Sequence, residues 1–338
     1  MERFLNLQMF ADVQVTTQDS LSPEMKTYYD MTLIDYAQAN LVHGQFAQKK
    51  PIPANGGKTI EFRKFAPLAK ATEPIVEGVT PAGKTLTVTA ITADVEQYGD
   101  YIVMSDMLDL TAIDPVIVEA TKLLGRQAGL TLDTIVRDIL QAETTVFFCP
   151  KRAADGTETE VEKRSDLDKT CVLTVDVVMQ VAAELKAQNA PTIDGDYVAI
   201  IHPYAAYDLM RDSEWQDAHK YATPENMYEG EIGKIAGVRF VETSEAKIYS
   251  GSEDKCPTGL GVFGTLFMGD NAYGDTEVTG GGLETIVKPK GSAGTADPLD
   301  QRSSVGWKST KTAKVLITEY MVRVESCSPR FSPGLEAN

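Results

Sequence analysis

The chain has 338 residues, enough for one large or two ordinary domains with a sizeable core. Hydrophobic residues make up 43% and charged residues 24%, as in ordinary globular proteins, but 49 acids against 32 bases leave a net charge of −17. That balance disfavours gripping DNA or an anionic membrane, which takes clustered Lys and Arg, and still permits a wall that encloses DNA without adhering to it. No window approaches ~18 uninterrupted apolar residues, so no membrane-spanning helix is expected. MERFLNLQMFADVQVTT, with Glu2 beside Arg3 and no apolar h-region, does not read as a secretory signal, and synthesis in the cytoplasm is expected. Cys149, Cys171, Cys256 and Cys327 show no CxxC spacing and read as free thiols of a reducing compartment.

Along the chain, residues 1–23 read as an extended arm ending at Ser22-Pro23. A helical pattern then spans Glu24 to Phe46, and the breaker cluster KKPIPANGGK leads into a strand, KTIEFRKF, Lys58 to Phe65. After a polar, proline-bearing connection comes TLTVTAITADVEQYGDYIVMS, Thr85 to Ser105, whose alternation and β-branched residues predict a returning strand. Leu86, Val88 and Ala90 share one face of it and Ile91, Ala93 and Val95 the other, a phase slip that predicts a bulge near Ala90. A helix of about 27 residues is predicted from Asp114 to Leu140, with Asp114 as N-cap and Pro115 as first helical residue. Its apolar stripe includes Leu123, Leu124, Ile135 and Ile139, and Gly125 and Gly129 lie one turn apart, where they permit a bend or the close approach of another element.

The charged stretch from Cys149 to Asp168 reads as a solvated loop. Thr174 caps a predicted helix, Val175 to Asn189. DYVAIIHP is a buried strand ending at His202-Pro203, followed by a helix over YAAYDLMRDSEW. GEIGKIAGVRFVETS reads as a turn feeding a strand, and residues 253–300 as loops with short strands. Val305 to Ser326 supplies one or two long strands. Helices and strands mix without strict βα alternation, which argues an α+β fold.

Two nucleotide-binding patterns occur. GVTPAGKT, Gly78 to Thr85, satisfies GxxxxGK[ST] letter for letter, and GLGVFG, Gly259 to Gly264, satisfies GxGxxG with Glu284 beyond it. A phosphate loop needs a helix whose N-terminus receives the phosphates. Here strand-like residues follow both glycine motifs, so a nucleotide hydrolase using Gly78–Thr85 stays only as an alternative. The three histidines, His43, His202 and His219, form no i, i+4 pair, and GxSxG is absent. His202, at a strand end before Pro203, reads as a hydrogen-bonded structural histidine. No catalytic, cofactor-binding or metal-binding residue is assigned, and no cofactor is expected. An abundance of carboxylates leaves glycosidase chemistry undecided. A β-rich adhesion or carbohydrate-binding module fits poorly with the long helix.

The joint order of NGGKTIEFRKFAPL, TAITADVEQYGDYIVMSD, DLTAIDPVIVEATKLLGRQAG, VAIIHPYAAYDLMRD, GEIGKIAGVRFVETSEAKI and RSSVGWKSTKTAKV with EYMVRVES resembles tailed-bacteriophage major capsid proteins of the Hong Kong 97-type shell fold, over about residues 20–326. The resemblance implies an N-terminal arm (1–23), an N-terminal helix and link (24–50) and an extended hairpin loop (51–108). A spine helix with peripheral domain (109–170), an axial domain (171–299) and return strands of the peripheral domain (300–338) would follow. It further implies self-assembly through hexamers and pentamers into an icosahedral capsid enclosing double-stranded phage DNA, with synthesis in the host bacterial cytoplasm. Scaffold, portal and decoration proteins would be further partners. Some relatives cross-link a Lys to an Asn between subunits, and no such pair is matched here. An encapsulin-like compartment shell shares the fold and is the nearer alternative. A two-stranded hairpin is marginal in water, so Ile60, Phe62, Phe65, Leu86 and Val88 are expected to find apolar cover on a neighbouring subunit. Leu123, Leu124, Ile135 and Ile139 are assigned to the spine helix.

Overall fold

The structure, a computed structural model, describes residues 41–51, 58–65, 83–111, 116–153, 155–220, 233–276, 283–292 and 297–338, with isolated positions between them such as Leu33, Tyr36, Ala37, Leu68 and Gly78. Its strands are β1 Gln48–Lys50, β2 Thr59–Phe65, β3 Val88–Asp94, β4 Glu96–Ser105, β5 Thr145–Phe148, β6 Lys151–Arg152, β7 Glu158–Thr159, β8 Tyr197–Ile201 and β9 Lys234–Ile235. They continue with β10 Val238–Glu242, β11 Ile248–Tyr249, β12 Val262–Met268, β13 Tyr273–Thr276, β14 Leu283–Lys288, β15 Arg302–Lys311, β16 Ala313–Val315 and β17 Met321–Ser326. The chain divides into two compact units. One holds residues 1–40, 97–131 and 278–310, the other residues 41–96, 132–277 and 311–338. The borders cut through both the 51–108 and the 171–299 segments drawn from the sequence.

The second unit is built on a seven-stranded mixed sheet in the order β5-β17-β12-β8-β10-β9, with β11 on β12. β8 explains its own sequence. All five residues of YVAII are buried, because Tyr197, Ala199 and Ile201 face one core while Val198 and Ile200 face another. A strand covered on both faces reads as a continuous apolar run. On the first face lie the helices Val175–Ala187, through Val178, Val181 and Leu185, and Pro203–Met210, through Ala206 and Leu209. On the second lie Val136 and Leu140 of the long helix, with Tyr273, Ala313 and Val315. Thr174 caps its helix by accepting the Val177 N–H, as its residue type predicts.

Several sequence expectations change. Residues 41–47 form turn, not the end of a helix from Glu24 to Phe46. The remainder of that helix, apart from helical Leu33, Tyr36 and Ala37, lies outside the described residues, as do Asp114 and Pro115; the long helix runs over Val116–Ala142. The helix expected over YAAYDLMRDSEW splits into Pro203–Met210 and Ser213–Lys220. Asp212 causes the break, since its carboxylate accepts the N–H of Glu214 (3.3 Å) and of Val175 (2.9 Å) in place of continuing helix. Cys149–Asp168 is not simply solvated. It carries the β6–β7 ribbon and a buried anchor, where Arg164 donates to both oxygens of Glu325, at 2.6 and 2.5 Å. Glu325 is 0% exposed, and the Arg164 guanidinium also lies 3.7 Å from the centre of the Tyr249 ring.

The first unit holds the three-stranded sheet β14-β15-β4. One face of it packs Met104, Leu283, Val305 and Trp307 against Leu33, Ala37, Ala120, Leu124 and Ala128. The Trp307 indole N–H donates to Gln127, whose amide donates to Asp100 at 2.7 Å. That bond and the Tyr101 backbone N–H hold the Asp100 carboxyl below its usual range.

Candidate assembly surfaces

The hairpin β2–β3 pairs without interruption from Thr59↔Asp94 to Phe65↔Val88. No bulge therefore lies at Ala90. The phase slip in the sequence is a change of face: Ile60, Phe62, Ile91 and Ala93 point to one side of the ribbon, while Arg63, Val88 and Ala90 occupy the other. The interruption lies instead at Val95, between β3 and β4, where its N–H donates to Lys58 O at 2.8 Å.

At the base of the ribbon, Ile60 and Phe62 are each 2% exposed and form a small core with Ala93, Val95 and Leu316. This corrects the expectation that a neighbouring subunit covers them, since Leu316 and Ile317 of the same chain do so. The Phe62 ring lies against Gly274, where any Cβ would collide with it, and the Lys50 ammonium sits 5.8 Å from the ring centre. Each of these two side chains contributes about 1.5–3 kcal/mol by leaving water. Farther out the pattern reverses. Leu68 is 60%, Leu86 61% and Val88 47% exposed; the Phe65 side chain lies outside the described residues.

On the long helix, Leu124 is buried, Ile135 and Ile139 are half-buried, and Leu123 is 63% exposed, on the solvent side of the stripe. Gly125 and Gly129 serve close approach. A Cβ at Gly125 would meet Leu33 O at 2.8 Å, and one at Gly129 would overlap Ala37 O. Farther along, Asp133 is fully buried. Its carboxylate takes the N–H groups of Val42 and His43 and the His43 ring nitrogen at 2.7 Å, and so fastens the turn before β1 to the helix. The outer face of β14-β15-β4 exposes Tyr101 (68%), Val103 (51%) and Ile286 (39%).

Neither nucleotide pattern builds its site. The described residues after Thr85 are extended and enter β3 at Val88, so no helix N-terminus faces Gly83 and Lys84. Gly259–Gly264 runs into β12, a buried strand. Two of its glycines answer to packing, since a Cβ on Gly261 would press on Leu335 and one on Gly264 on Gln141 and Tyr249, which are hydrogen-bonded to each other (3.0 Å), whereas Gly259 takes a positive φ of 71°. His202 is the N-cap of Pro203–Met210. Its Nδ1 accepts the Tyr204 N–H at 3.1 Å, its ring stacks on Phe263, and burial lowers its pKa to about 4. The His219 side chain lies outside the described residues. The cysteines, scattered in sequence, gather in one core, where burial pushes Cys171 and Cys256 to about 11 and Cys327 to about 12. Such thiols are poor nucleophiles. A cavity of about 310 Å³ is lined by Arg152, Glu158, Asp208, Arg211 and Asp212. Arg152 is paired with Glu158 at 3.2 Å, and Asp212 is taken up by the two backbone N–H groups already described.

The fold is similar to the capsid of Ralstonia phage GP4 (TM-score 0.65, 12% identity, 98% of this chain and 100% of that one). It is also similar to the capsid of cyanophage P-SCSP1u (TM-score 0.62, 13% identity, 85% and 88%) and to that of cyanophage Pam1 (TM-score 0.61, 14% identity, 96% and 99%). Residues 88–322 match the phage capsid protein family, and the chain belongs to it as a structural shell protein. No curated protein matches the sequence.

Proposed function

We propose that this chain builds an icosahedral shell around double-stranded phage DNA, from hexamers and pentamers of identical copies, without catalysing a reaction. The observation that carries the mechanism is the hairpin, held at its base by Ile60 and Phe62 in its own chain and exposed at its outer end. A two-stranded ribbon is marginal alone, and a second copy lying against the outer half would order it. Head-to-tail contacts that close into rings fit pentamers and hexamers. In this reading residues 51–108 are the extended loop, Asp114–Leu140 the spine helix and 171–299 the axial domain. The subunit is made in the host cytoplasm, and scaffold, portal and decoration proteins would meet the assembled shell. A net charge of −17 suits a wall that does not stick to the nucleic acid within it.

Negative-stain images of the purified protein should contain closed particles of uniform diameter; monomers alone under every assembly condition would overturn the shell. Deleting Pro67 to Lys84 should leave a folded, soluble subunit that forms no shells. Loss of folding would place that tip in the subunit core.

A further inference from the structure

Residues 328–338 cross the body as a strap, and the glycine motif that builds no nucleotide site is its cradle. The Gly261 N–H donates to Ser332 O at 2.8 Å, and the Gly334 N–H donates to Gly259 O at 3.0 Å. Leu335 lies over Gly261, where a Cβ would come within 2.9 Å of the Leu335 Cβ. The Ser250 hydroxyl donates to Leu335 O at 2.9 Å.

The far end of the strap is keyed. The Asn338 carboxamide accepts the Ile248 N–H and donates to Ala246 O, each at 2.9 Å. A group that accepts and donates at once copies a peptide unit, so neither an aspartate nor an aliphatic side chain makes both bonds. The main-chain oxygen of Asn338 takes the Lys247 ammonium at 2.9 Å and the Arg137 guanidinium at 3.1 Å. Arg137 belongs to the long helix and is 1% exposed. Between cradle and key the strap has little apolar cover: Phe331 and Leu335 are half-buried, and Pro333, Gly334, Glu336, Ala337 and Asn338 are exposed. A segment held by hydrogen bonds with few buried apolar contacts lies at the low-stability end of a fold. The sheet beneath is the opposite case, since β8 and β12 are buried at every residue.

We propose that residues 328–338 form a detachable strap, keyed by Asn338, that opens and closes as one unit while the mixed sheet stays folded. Closed, it occupies the backbone of Gly259–Gly261. Open, it frees that backbone to pair with an extended segment of another chain. The shell reading is not required for this.

The test is amide exchange on the full chain carrying Asn338→Ala. Ile248 loses its acceptor outright there and reports only the local bond. Gly261 and Gly334 keep their acceptors, so they quicken only through opening of the whole strap. Both should exchange about tenfold faster, by a common factor, with Ala199 and Leu266 of the mixed sheet unchanged. Gly261→Ala disturbs the other end through Leu335 and should quicken Ile248 and Gly334 together. An unaltered rate at either reporter in either variant would mean that the strap is no unit. Faster exchange at Ala199 and Leu266 as well would place it in the folding core, and either result overturns the proposal.

Discussion

The two halves of the hairpin use one strand pattern to opposite ends. At the base, Ile60 and Phe62 on β2 oppose Ala93 and Ile91 on β3 and are buried against Leu316 and Ile317 of the same chain. At the outer end, the apolar residues have moved to the other face and lie exposed, Leu86 at 61% and Val88 at 47%. Because side chains alternate with period two, a shift of one residue in the apolar pattern transfers it from one side of the ribbon to the other without altering the pairing. A ribbon anchored on one side and apolar on the other is fixed to one body and ready for a second. This separates folding of the subunit from its association, and the separation can be tested.

The largest effect on stability should come from Phe62→Ala, at about 3 kcal/mol, because the ring fills a small core that cannot collapse onto Gly274. Denaturant unfolding measures it, and a loss below about 1 kcal/mol would show that the base is not anchored. Gly274→Ala attacks the same contact by overpacking and should cost about 2 kcal/mol. Combined with Phe62→Ala the added methyl enters vacated space, so the double substitution should cost less than the sum; strict additivity would argue that the two residues do not touch in solution.

A smaller effect separates the body of the subunit from the hairpin through pH. Residues 58–105 contain no histidine, whereas His202 in the body titrates near 4 when folded and near its ordinary 6.5 when unfolded. Between these values the unfolded chain binds the extra proton, so stability is full above about 6.5 and falls as pH drops toward 4. His202→Asn keeps a capping acceptor that does not charge. Unfolding at pH 7 and at pH 4.5 should show a smaller acid loss for His202→Asn than for the unsubstituted chain. An equal loss would assign the acid response elsewhere. Least of all, Val88→Asp should shift subunit stability by no more than about 0.5 kcal/mol, as expected of an exposed position. A shift of 2 kcal/mol would mean that the outer half also belongs to the folding core.

Much of this was legible from local chemistry. Thr174 and Pro203 announce their helices because caps act within a few residues of their own position. YVAII reads as a buried strand because no polar residue interrupts it, and the glycines at 125 and 129 point to a bend or a close neighbour because a helix interior disfavours them otherwise; the structure shows the close neighbour. The charged insertion was less legible, since nothing near Arg164 reveals that its partner Glu325 lies 161 residues away. The same holds for Asp133, which looks like any acid on a helix and is taken up by Val42 and His43 some 90 residues earlier.

By itself the sequence determined the type of most elements, the lack of a helix after either glycine motif, and the existence of an apolar hairpin followed by a long helix. All of these follow from backbone propensity and short-range periodicity. Only the tertiary structure decided which apolar residues are spent inside the subunit and which are left over. Ile60 and Leu86 are equally apolar on paper. Leu316 and Ile317, about 250 residues downstream of Ile60, cover the first and leave the second exposed, and no local pattern carries that information.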